Sequence, residues 1–178
     1  MRADRIARVV LLASLAIPAA AAPAELSPRL APLRPFLGKT WRGVFPDAKP
    51  DKPKVDVSRF EAALNGQAVR NLHSINDGEY GGETVIVWDQ QKQALVFYYF
   101  TTAGFYTTGT MREQEGALVS HEVVKGEAGG IREVKATFRV QPDGRLHVKT
   151  QYLEQGAWVD GRDMYYVEAP GAVVKFKD

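Results

Sequence analysis

Three histidines, His73, His121 and His147, are the residues of this 178-residue chain best suited to acid–base or ligand chemistry. None stands in an H-x-x-H or H-x-x-E spacing that would converge two donors on a metal. His73 and Ser74 are adjacent, so on a strand they point to opposite faces and form no nucleophile–base pair. There is no G-x-S-x-G, and cysteine is absent, which excludes thiol catalysis, Cys-ligated zinc, iron–sulfur clusters and covalent c-type haem. Asp77-Gly78-Glu79 and Asp143-Gly144 carry turn chemistry, and no helix pattern follows Gly81-Gly82 or Gly129-Gly130 to make a phosphate loop. Glu61, Glu122 and Glu133 are scattered strand carboxylates. The sequence therefore assigns no reaction and no metal. It leaves His73, with Asn71 two residues before it, as the polar pair worth following.

The elements that must position this pair are strands. From Gly82 to Met111 the chain reads as three runs rich in Val, Ile, Phe, Tyr and Thr, split by short polar or small-residue breaks. β-branched and aromatic residues suit a pleated, half-buried surface. Lys39–Phe45, Val55–Leu64 and Gln67–Ile75 precede this block. Leu118–Lys125, Ile131–Val140, Arg145–Leu153 and Trp158–Glu168 follow it. That makes about ten strands joined by short connections, the pattern of a hairpin meander. Leu26, Leu30, Leu33 and Leu37 recur at near-helical spacing, but Pro28, Pro32 and Pro35 restrict them to a short helical turn ending at Gly38. The expected fold is all-β. A single antiparallel up-and-down barrel is set against a two-sheet sandwich. The barrel is favoured because closure removes the sheet edges and only PDAKPDKPK is long enough to cross between sheets.

Hairpin parity predicts facing. A two-residue turn at Asn65-Gly66 sets Leu64 opposite Gln67 and turns Phe60, Ala62, Leu64, Val69, Asn71 and His73 inward. An even-length loop after Phe100 gathers Val96, Tyr98, Phe100, Phe105, Thr107, Gly109 and Met111 inside. It leaves Tyr99 and Tyr106 outside, with Trp88 and Phe97 also on the outer face unless a slip or bulge reverses them. The interior ligand-contact candidates are thus Asn71, His73, Tyr98, Phe100, Phe105 and Met111.

The first 24 residues read as a signal peptide. Arg2, Arg5 and Arg8 form the positive region, and Val9–Ile17 is an apolar stretch too short to span a bilayer. Small residues then supply an A-x-A site, and residues 25–178 form the mature domain. The expected destination is the periplasm or the exterior, and not an integral membrane position. Of 23 Lys+Arg and 21 Asp+Glu, this leader holds three Arg and one Asp, so the mature chain is neutral and gives no basis for nucleic-acid capture.

PFLGKTWRGVF is similar to the G-x-W opening of the calycins, the lipocalin-like and nitrobindin-like barrels. The segments NGQAVRNLHS and ETVIVWD follow it. RLHVKTQYLEQGAWVDGRDMYYV resembles the closing strands of small bacterial lipocalin-like domains. Gly38-x-x-Trp41 departs from the motif by one residue, and the nitrobindin Tyr-Pro pattern is matched only by Phe45-Pro46. The resemblance implies an antiparallel barrel with an apolar cavity whose floor is closed by Trp41. In nitrobindin-like proteins the iron-binding His lies near the C-terminus. Here only His147 lies late, and its alternation with Leu146 and Val148 turns it outward, which leaves His73 as the imidazole that would meet haem. No cofactor is otherwise expected. The expected function is an exported barrel binding a small apolar ligand. The alternative is an envelope-associated interaction module with a filled core, acting through Tyr99, Tyr106 and Trp158.

Overall fold

The computed structural model describes residues 25–125 and 131–177; the expected leader and the GEAGG connection lie outside them. Ten strands run β1 Thr40–Val44, β2 Val55–Ala63, β3 Ala68–Ile75, β4 Tyr80–Asp89, β5 Ala94–Thr101, β6 Tyr106–Gln114, β7 Ala117–Lys125, β8 Glu133–Val140, β9 Leu146–Glu154 and β10 Ala157–Glu168. Each pairs antiparallel with its sequence neighbour, and β1 closes the ring on β10 through Trp41↔Glu168, Arg42↔Val167 and Gly43↔Tyr166. The up-and-down barrel is therefore realised, with no second sheet among the described residues. No helix among the described residues is long and apolar enough to cross a membrane.

Pro28–Phe36 forms a 3-10 segment. Its side chains repeat every third residue, so Leu30, Leu33 and Phe36 stack on one face, and all three are buried. This replaces the expected near-helical leucine spacing. The prolines are tolerated because a short tight helix needs few of their missing N–H groups. Leu37 bridges to Phe60, and Gly38 N–H donates to the Phe60 carbonyl at 3.0 Å, which seats the segment on one end of the barrel. Burying each of these large apolar side chains contributes about 1.5–3 kcal/mol.

Two hairpins decide which residues face inward. Between β2 and β3, Ala63↔Ala68 is the last pair, so the loop is Leu64–Gln67 rather than Asn65-Gly66 alone. Both loop lengths are even, so Phe60 stays opposite Asn71 as expected, while Leu64 sits exposed in the loop. Between β5 and β6 the loop is odd. Thr101 N–H donates to Phe105 O at 3.1 Å, Gly104 N–H donates to Thr101 O at 3.1 Å, and Gly104 closes the turn at φ +82°. This three-residue connection, with glycine in the left-handed region, pairs Phe97 with Gly109 and Tyr99 with Thr107. Thr107, Gly109 and Met111 face inward as expected, and β5 is reversed. Phe97 is 4% exposed, whereas Tyr98 and Phe100 are 46% and 50% exposed.

Candidate functional site

The register sorts the inward residues along the barrel axis. Toward the 3-10 segment stand Phe60, Ile86, Met111, Leu118, Phe138 and Leu146, with Phe36 above them. Toward the opposite end stand Asp56, His73, Tyr99, Glu122, Thr150 and Arg162. These residues line one interior cavity of about 290 Å³. Its axis thus runs from an apolar end to a polar end.

The polar end is a connected network. His73 Nδ1 is 3.1 Å from Asp56 Oδ1, and its Nε2 is 2.7 Å from the Tyr99 hydroxyl. Tyr99 in turn donates to the Tyr80 hydroxyl at 3.1 Å. The Tyr166 hydroxyl donates to Asp56 Oδ2 at 2.8 Å. Burial alone would push the Asp56 carboxyl up. The hydrogen bond and charge of His73, the Tyr166 hydroxyl and Arg162 instead hold it below the ordinary carboxylate value. Burial pushes the Glu122 carboxyl up. Burial, reinforced by Tyr80, pushes the Tyr99 phenol up, and burial beside the Asp56 carboxylate does the same for Tyr166, so both phenols are neutral donors. The Arg162 guanidinium stays charged: burial opposes that charge, but the neighbouring Tyr166 and Asp56 raise its value overall.

Of the candidate contact residues, Asn71, His73 and Met111 line the cavity, and Asn71 Nδ2 donates to Ser58 Oγ at 2.7 Å. Trp41 is fully buried beside the closed end, with Lys39 Nζ 5.2 Å from its ring centroid. Tyr98 and Phe100 are corrected to the outer face by the odd β5–β6 loop. Phe105 is half-buried in that loop and lines no part of the cavity. Tyr99, expected outside, faces inward. The residues missed were Asp56, Tyr80, Tyr99, Glu122, Arg162 and Tyr166. Asp56 and Ser58 share the parity of Phe60, so strand alternation carried a signal for them.

No imidazole presents an unengaged nitrogen to the cavity. Both nitrogens of His73 are engaged. His121 lies beside Glu133 at 2.5 Å on exposed positions, and His147 bonds Asp163 at 2.7 Å and stacks on Tyr165 with centroids 4.4 Å apart. The residues present do not fit an axial haem site. Among the described residues no group of three His, Asp or Glu is arranged to hold a metal.

No protein-family model matches the chain, and no curated protein matches it in sequence. Among solved structures, Rv2717c from M. tuberculosis is similar with a TM-score of 0.56 and 16% identity, covering 82% of this chain and 99% of its own. At that identity the likeness is one of fold. The closed barrel fits a calycin-like architecture.

Proposed function

We propose that this chain is an exported barrel that binds one small, largely apolar ligand in its interior, with the polar end of the cavity fixing the ligand's orientation. The observation that supports this reading is the cavity itself: one continuous space with Phe and Leu side chains at one end and hydrogen-bonding side chains at the other. A few directional polar groups in an apolar pocket are the usual composition of a small-molecule site. Its volume of about 290 Å³ lies at the small end of such pockets, which favours a short chain or a single ring over a long lipid. Export rests on the leader-like character of residues 1–24.

The test is native mass spectrometry of the purified mature chain, followed by titration with an environment-sensitive naphthalene probe. A co-purifying mass, or saturable probe binding abolished by filling the cavity with Ala136→Phe, is expected. A chain that folds, carries no mass and binds no probe would return the reading to an interaction module. Such a module would act through the outer face, where Tyr98, Phe100 and Tyr106 lie close together on β5 and β6.

A further inference from the structure

The β9–β10 register gains one residue between Asp160↔Gln151 and Asp163↔Lys149, so Gly161 and Arg162 together face Thr150. This is a β-bulge, a device that re-aims a side chain. The Arg162 backbone N–H donates to Thr150 Oγ1 at 2.7 Å, and the Thr150 hydroxyl is 3.3 Å from the Arg162 carbonyl, which pins the bulge. A Cβ on Gly161 would lie 2.3 Å from the Tyr152 ring and 2.7 Å from Thr150 Oγ1, so glycine is required for the close approach. The outcome is that Arg162 lines the cavity at its polar end.

Its guanidinium is held there with no carboxylate in direct contact, while the charge of Asp56 supports it from beyond ion-pair distance. Arg162 Nε is buried with no hydrogen-bond partner, and among the described residues no carboxylate oxygen lies within 4 Å of it. Its Cζ lies 5.3 Å from the centroid of the Phe45 ring. Asp56 makes no direct bond to the guanidinium: its oxygens meet His73 and Tyr166, and neither lies within 4 Å of the guanidinium. Glu122 lines the same cavity, but burial favours its neutral form. A charge taken out of water is costly unless it is paired and hydrogen-bonded. The planar guanidinium fork matches a carboxylate's two oxygens. Among the described residues that line the cavity Arg162 is the only Lys or Arg, so its charge matches a monoanion rather than a phosphate dianion.

We infer that the interior ligand carries a carboxylate head group that pairs with the Arg162 guanidinium, its apolar body directed toward Phe60, Ile86 and Leu146. This inference rests on the interior-ligand reading. The test is calorimetric titration of the mature chain at neutral pH with octanoate, 1-octanol and octylamine, probes that share a chain and differ in head. Octanoate is expected to bind about tenfold or more tighter than 1-octanol, the scale of one charged hydrogen-bonded pair. That preference is expected to collapse in Arg162→Met, which keeps the apolar stem and removes the charge. The wild-type comparison stands even where the variant fails to fold. Equal affinity for octanoate and 1-octanol, or tightest binding of octylamine, would overturn the head group while leaving the interior site standing. Failure of all three to bind would remove the interior site, and the head group with it.

Discussion

Tyr166 reaches across the barrel seam to Asp56. Its hydroxyl lies 2.8 Å from Oδ2, and Gly43 of β1 is the register partner of both residues. The bond therefore ties β10 to β2 over the strand between them. Tyr166→Phe leaves a buried carboxylate oxygen without its donor and is expected to cost about 1–3 kcal/mol in urea unfolding. An unchanged midpoint would show that the bond contributes nothing to holding the seam.

The two carboxylates that line the cavity have opposite pH signatures. Asp56 is held below its ordinary value in the fold, so its contribution is present above the ordinary carboxylate range and is lost as pH falls through the folded value. Glu122 is pushed up by burial, so the fold is favoured while it is protonated, and that advantage is lost as pH rises through its folded value. Glu122→Gln is accordingly expected to raise Tm at neutral and alkaline pH, with the gain shrinking on acidification. Asp56→Asn is expected to lower Tm at neutral pH, with the loss shrinking on acidification. Melting curves of the three proteins across pH 3–8 check both signs; a gap that widens on acidification for either variant contradicts the assignment.

Facing on β5 can be read from a pair of truncations. Phe97→Ala removes a core ring and is expected to cost about 3–5 kcal/mol. Phe100→Ala, on the outer face, is expected to stay near the roughly 0.5 kcal/mol of ordinary surface changes. Similar losses at the two positions would mean that the register is wrong.

The β5–β6 turn makes a separate, local prediction. At Gly104, φ is +82° and an added Cβ meets nothing within 4 Å, so Gly104→Ala carries only a conformational penalty. That penalty is expected to be about 1–2 kcal/mol, measured by denaturant unfolding, with the cavity's ligand affinity unchanged. A neutral substitution would indicate a different turn in solution.

Strand order was legible because turn residues separate every β-rich run and only the PDAKPDKPK connection is long enough to skip a neighbour. The inward placement of Phe60, Asn71 and His73 was legible for a narrower reason: Phe60 alternates with charged Arg59 and Glu61 next to the turn, and any even loop preserves the pairing. Leu95–Phe100 is apolar or aromatic at both parities, so alternation carries no information there. A single residue of loop length decides whether Tyr98 or Tyr99 enters the barrel. Arg162 was hidden differently. Its inward turn depends on the extra residue at Gly161, and one glycine in a strand does not announce a bulge until its partner strand is known. The Asp56–His73–Tyr99 network joins the β2–β3 hairpin to β5 across β4, so it depends on the β5 facing that the odd β5–β6 loop sets.

The ring closes on a narrow seam. β1 meets β10 through three paired residues, against eight between β2 and β3. Every other strand pairing joins strands adjacent along the chain, so among the strand pairings this seam is the one that brings opposite ends of the domain together, at the loop-closure entropy that such distance implies. If those pairs part, the barrel becomes an open sheet with two bare edges ready to recruit another molecule. Resistance to aggregation is therefore concentrated in one of the shortest strands of the protein.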